Sequence, residues 1–128
     1  MFPEKVCLLL KITRDTSFDY QLPMKEWFNQ HYPDFFVYDL DNFSEAMVTD
    51  YALKLLNNAQ KIVFILQAEP NSPLGSLLKL MPVVMRHKHK VKAVFQGEHK
   101  AIQQMLKPLN EVVYNLPEEE LAAAIGLV

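Results

Sequence analysis

Glycine is scarce in this chain. Only Gly75, Gly97 and Gly126 occur in 128 residues, and none precedes residue 75. The glycine-rich turn that lets backbone approach a pyrophosphate is therefore missing, as is a Walker-type phosphate loop. Cysteine occurs once, at Cys7. A lone cysteine closes no internal disulfide, which fits a reducing compartment. It lies within the apolar run Val6-Cys7-Leu8-Leu9-Leu10, where it reads as a small buried strand residue. A catalytic thiol needs an exposed, electropositive setting instead. Neither sign of charge dominates. Thirteen basic and 15 acidic residues leave a net charge of -2, without the basic excess of a nucleic-acid binder. No apolar run is long enough for a bilayer, and the N-terminal stretch lacks a signal-peptide pattern. Phe2 stands where myristoylation needs glycine. A cytoplasmic chain with no membrane partner is expected. No repeat, low-complexity tract or linker divides it, so residues 1–128 are expected to form one domain.

What the chain does have is apolar mass. Half of it is hydrophobic and 11% is aromatic. A chain of this length buries roughly two thirds of its unfolded surface, enough for a core without metal or disulfide. Three near-continuous apolar runs read as strands covered on both faces: Lys5 to Ile12, Lys61 to Leu66, and Val91 to Phe95. Two shorter runs, Phe35 to Tyr38 and Val112 to Tyr114, complete a set of five.

Helical patterns separate the strands. The first spans Tyr20 to His31, with Pro23 early enough to be tolerated. The second starts at the N-cap candidate Ser44 and carries Met47, Val48, Tyr51, Ala52, Leu55 and Leu56 as a core-facing stripe. The third starts near Ser72-Pro73 and runs through Leu77, Leu78, Leu80, Met81 and Val84, with Pro82 expected to kink or shorten it. The fourth covers about His99 to Lys107. The fifth begins after Pro117 with three glutamates, which suit a helix N-terminus.

Strands alternating with helices imply crossover connections. The fold class expected is α/β: a three-layer α/β/α arrangement around a five-stranded, mostly parallel sheet of order 2-1-3-4-5. That order resembles flavodoxin-like domains. Ligands of such sheets bind beyond the carboxyl ends of the strands, at the switch in strand order. The candidate ligand-binding residues are therefore Thr13, Arg14, Thr16 and Ser17 after strand one, and Gln67, Glu69 and Ser72 after strand three.

The first loop supports two readings. Thr13, Thr16 and Ser17 offer hydroxyls to a phosphate at a helix N-terminus, as in flavodoxins. The same hydroxyls serve equally as helix caps, and Asp15 and Asp19 oppose a phosphate. Response-regulator receivers also resemble this architecture. Their acidic pair, phosphoacceptor Asp and Lys are replaced by Lys11-Ile12, Gln67 and Asn115, so Mg²⁺-dependent phosphoryl transfer is not expected.

The order of landmarks resembles the Toll/interleukin-1 receptor (TIR) domain family from about residue 5 to 125. Arg14-Asp15-Thr16 and Phe18 are similar to its charged turn. Phe36-Val37-Tyr38-Asp39 is similar to its second strand, and Ala52 to Leu66 to its second helix running into strand three. The resemblance implies a signalling or protein-interaction role. Enzymatic members of the family cleave NAD with a Glu in the third helical segment. Here Lys79 lies close to that position, and no acidic residue occurs between Glu69 and Glu98. An ammonium cannot replace a carboxylate in stabilising a cationic transition state. Glu69 is the one carboxylate near enough in sequence to substitute. The loop Asp39 to Phe43 also lacks the family's proline-glycine turn.

Arg86-His87-Lys88-His89-Lys90-Val91-Lys92 is the one charge run. Cations there satisfy a helix C-terminus, and they also suit an acidic partner. His87 and His89 have no neighbouring cysteine or carboxylate, so no metal is expected. His31 and His99 have no nucleophile at recognisable spacing. Trp27, Phe28, Tyr32, Phe35 and Phe36 read as core, although strand two is an edge and aromatics there suit a homodimer surface. The function expected is a noncatalytic interaction or signalling module that engages a protein partner or its own copy. It needs no cofactor. The alternative is a nucleotide- or phosphate-binding protein, or an NAD-cleaving enzyme, using the loops after strands one and three.

Overall fold

Val6 to Leu10 are all buried, with no alternation between inside and outside. In a computed structural model, which describes residues 2–14, 23–109 and 112–115, this run is strand β1 (Lys5–Ile12). It pairs with β2 (Phe36–Asp41) on one side and β3 (Lys61–Ala68) on the other. β3 pairs with β4 (Val91–Gly97), and β4 with β5 (Val112–Tyr114). All four pairings are parallel, and the order is β2-β1-β3-β4-β5. The expected three-layer α/β architecture of flavodoxin-like order is the observed one.

The connecting helices are α1 (Pro23–His31), α2 (Ala46–Asn58), α3 (Leu77–Arg86) and α4 (Lys100–Leu106). Alternate strand residues point to opposite faces, which divides the core in two. Val6, Leu8, Leu10, Ile62, Phe64, Leu66 and Phe95 pack beneath α2, α3 and α4. Cys7, Leu9, Val63, Ile65 and Val94 pack on the other face with Phe28, Tyr32 and Phe35 from α1 and the turn after it. Phe28 meets Phe35 edge-on at 5.4 Å between centroids, so most of the expected aromatic cluster is core. Phe36 is not. It lies on the opposite face, exposed beside Tyr38.

Several boundaries differ from expectation for local reasons. β2 continues to Asp41, three residues past Tyr38, because β1 pairs with it as far as Lys11. Ser44 does not cap α2. Its hydroxyl accepts a hydrogen bond from the Asp41 amide at 2.9 Å, in a turn closed by the Phe43 amide on Asp41 Oδ1 at 2.7 Å, and Glu45 takes the cap position. α3 starts at Leu77 and not near Ser72. Asn71 and Gly75 both have positive φ, 61° and 50°, which no right-handed helix accommodates. Pro82 stays inside α3, and the helix continues to Arg86. The basic run after it forms a 3-10 turn, Lys88–Lys90, between α3 and β4. The segment before Pro23 and the helix expected after Pro117 lie outside the described residues. No helix among the described residues is long and apolar enough to cross a membrane.

Candidate functional site

At the carboxyl edge each apolar run of the sheet ends in a polar residue. The register places Asp41, Lys11, Gln67 and Gln96 in one transverse row. This row lies on the α1 face. Gln67 Nε2 donates to Gln96 Oε1 at 2.8 Å. Beyond them the Gly97 amide donates to Asn115 Oδ1 at 2.8 Å. Gln67 was the only one of these expected at a site. Lys11, Gln96 and Asn115 carry a signal in hindsight, because each is the first polar residue after an apolar run; Asp41 does not, since Asp39 precedes it.

The remaining expected site residues sit beyond the strand ends and are largely engaged in holding the loops. Thr13 is buried. Its amide donates to Asn42 Oδ1 at 3.0 Å, and its carbonyl accepts from Asn42 Nδ2 at 2.9 Å. The same Nδ2 also donates to the Pro73 carbonyl at 2.6 Å. Asn42 thus stitches the loop after β1 to the loop after β3. Sequence reasoning missed it because its partners are 29 and 31 residues away. Ser76 adds a further stitch, its hydroxyl donating to the Asp41 carbonyl at 2.7 Å.

Arg14 and Glu69 meet. The Arg14 amide donates to Glu69 Oε1 at 3.2 Å, and the side chains pair at 4.0 Å, both exposed. A surface pair of this kind contributes little stability. The Ser72 hydroxyl donates to the Glu69 carbonyl at 2.9 Å. Gln67 lies on the other face of the sheet from the Asn42 network, so the structure does not gather the expected residues around one space. Thr16 and Ser17 lie outside the described residues.

The titratable groups with resolved surroundings do not assemble acid–base chemistry. His99 caps α4, its Nδ1 accepting from the Ile102 amide at 3.4 Å. Its Nε2 therefore carries the proton and donates to the Ser72 carbonyl at 2.8 Å. His31 stacks on Trp27 at 4.4 Å, with Nδ1 bonded to the Trp27 carbonyl at 2.8 Å. Burial pushes the Cys7 thiol far above its ordinary range, which keeps it un-ionised. Desolvation lowers the His87 pKa, and the neighbouring Lys90, Arg86 and His89 lower it further. Among the described residues no three His, Cys, Asp or Glu side chains are grouped to hold a metal ion.

A different surface has the character of a binding face. Leu78, Met81, Pro82 and Met85 of α3 face Met105 of α4 and Pro108 across an open groove of about 310 Å³. Leu78 is 58% exposed there. All six lining residues are apolar, so the groove lacks the convergent polar groups of a small-molecule site. Three exposed cations adjoin its lining residues in the chain: Lys79 follows Leu78, Arg86 follows Met85, and Lys107 precedes Pro108.

Comparison with protein-family models, with curated proteins and with solved structures gives no match to this chain.

Proposed function

We propose that this chain is a noncatalytic protein-interaction module that binds a partner through the α3–α4 face. The observation that carries the proposal is the groove itself: six apolar residues, with the exposed cations Lys79, Arg86 and Lys107 next to three of them in the chain. Methionines suit such a face because their flexible, polarizable side chains adapt to a partner. The basic border selects an acidic one. A segment with apolar residues on one helical face and carboxylates on the other meets both demands.

The resemblance to TIR domains agrees with an interaction or signalling role. Lys79, exposed on α3, stands near the place where enzymatic members of that family carry their Glu. Glu69, the possible substitute, is engaged with Arg14. NAD cleavage is therefore not part of the proposal.

The test is an amide-resolved NMR titration with two probes. One is a designed helical peptide with Leu and Met on one face and Glu on the other. The second is a set of NAD, FMN and common nucleotides. Shifts at Leu78, Met81, Met85 and Met105 with the peptide are expected, and Leu78→Asp abolishes them. Shifts at Thr13, Gln67 and Glu69 with a nucleotide, lost on Glu69→Ala, would replace this reading with a ligand-binding one.

A further inference from the structure

The basic run after α3 is not spread along the surface but wound into one tight turn. Arg86 closes α3, His87 is its C-cap, and Lys88–Lys90 form the 3-10 turn that follows. The Lys90 amide donates to the His87 carbonyl at 2.9 Å. Side chains three apart eclipse in such a turn, which sets Lys90 on the same side as His87. Both are anchored on the end of α2. His87 Nε2 lies 3.1 Å from Asn57 Oδ1, and Lys90 Nζ donates to the Ala59 carbonyl. Arg86, Lys88 and His89 are exposed around them.

Helix ends account for part of this charge. A helix C-terminus is equivalent to about half a negative charge, so α2 and α3 together offset about one. Lys90 serves α2, whose last turn has no base of its own, and Arg86 serves α3. Arg86, Lys88 and Lys90 bring three formal charges with both histidines neutral, which leaves a surplus of about two. Nothing nearby removes it. None of the three forms an ion pair among the described residues. Every charged group acting on the His87 ring is a base: Lys90, Arg86 and His89. α3, β4 and α4 carry no acid. On α2, Asp50 is seven residues and about 10 Å of helix before Asn57, with exposed Lys54 between them. On the strand side, exposed Glu4 adjoins exposed Lys61, whose amide donates to the Glu4 carbonyl at 3.1 Å, so those two offset each other.

The size of the surplus selects the anion. A carboxylate or a chloride brings a single negative charge. A phosphate ester brings about −1.5 to −2 at neutral pH, with three strong acceptor oxygens. Arg86 offers a planar fork for two of those oxygens, and Lys88 a mobile ammonium for the third. We propose that Arg86, His87, Lys88, His89 and Lys90 form a binding site for a phosphate ester, which Arg86 and Lys88 contact directly. The proposal does not rest on the groove being an interaction face.

The test is an NMR titration of the amides and histidine rings of the full chain with inorganic phosphate, against sodium chloride and sodium acetate at equal ionic strength. Phosphate should give saturable shifts at residues 86–90 and raise the His87 midpoint above its value in either other salt. Lys88→Gln should weaken phosphate binding about fivefold, the upper end for an exposed ion pair, and Arg86→Gln with Lys88→Gln should abolish it. Lys88→Gln alone carries the test if the double variant loses its circular-dichroism signature. Lys100→Gln, at the start of α4, should leave binding unchanged. Shifts that chloride or acetate reproduces overturn the proposal. So does an equal loss from Lys100→Gln, which would mark attraction by net charge alone. Cosedimentation with phosphatidylcholine vesicles, with and without phosphatidylinositol bisphosphate, separates two sources of the phosphate group. Retention on the phosphorylated vesicles only, released by inorganic phosphate, assigns a lipid headgroup. Phosphate binding with no retention assigns a soluble ester.

Discussion

Gly75 and Asn42 approach so closely that a β-carbon on the glycine would lie 1.9 Å from the Asn42 carbonyl oxygen. Gly75 also has a φ of 50°, where an L-residue is strained. The obstacle is backbone and cannot rotate aside, so the loop must shift. Gly75→Ala is expected to destabilise the fold by about 2–4 kcal/mol, the strain and the displaced loop acting together. Urea unfolding gives the value. A change below about 0.5 kcal/mol would mean that this loop packs differently.

Asn42 itself is buried and uses both ends of its amide on the Thr13 backbone, with a further bond to Pro73. Asn42→Ala removes an acceptor and a donor that buried backbone groups use, at a cost of about 2–4 kcal/mol. Asn42→Asp should be at least as harmful at neutral pH. It keeps the acceptor for the Thr13 amide but turns a carboxylate oxygen toward two carbonyls. Equilibrium unfolding of both variants checks the order.

The legibility of these features in the sequence follows their range. β1, β3 and β4 were readable because burial on both faces writes a continuous apolar run, as in Ile62 to Leu66. Alternation with helices then implied crossovers, and five strands the 2-1-3-4-5 order. Boundaries that depend on one hydrogen bond were less readable. Ser44 looks like a helix cap, yet its hydroxyl serves the Asp41 turn. The Asn42 network was not readable, because nothing near residue 42 announces Thr13 or Pro73. The apolar residues of α3 and α4 are present in the sequence, but only the fold sets Leu78, Met81 and Met85 across a groove from Met105 and Pro108.

His87 supplies a pH dependence of known sign. Desolvation, then Lys90, Arg86 and His89, hold its folded pKa below the ordinary value of 6.5. The unfolded chain therefore binds the proton more tightly. Its contribution to stability is complete above about pH 6.5, falls as the pH drops toward the folded value, and is constant below it. An NMR titration of the ring should show a midpoint below that of free histidine. Added salt should raise that midpoint by screening the three cations. His87→Gln should remove this component from the pH dependence of unfolding. A midpoint at or above the ordinary value would contradict the surroundings described for this ring.

Pro82 breaks a local rule in the middle of α3. Proline supplies no N–H, so the Leu78 carbonyl loses its helical partner, and helix interiors tolerate proline at a cost of roughly 3 kcal/mol. Pro82 also restricts the unfolded chain, which offsets about 0.5–1 kcal/mol of that cost. Pro82→Ala is therefore expected to stabilise the fold by about 2–2.5 kcal/mol, read from the urea midpoint. The residue lines the groove and is exposed, so the core gains nothing from it. Rule-breaking without a structural benefit is what a binding face shows when shape is kept at the expense of stability. The variant should accordingly be more stable and bind the designed acidic peptide more weakly than the wild type. A peptide titration on the same samples used for unfolding separates the two effects. If Pro82→Ala gains stability and keeps full peptide binding, proline at this position does not shape the contact.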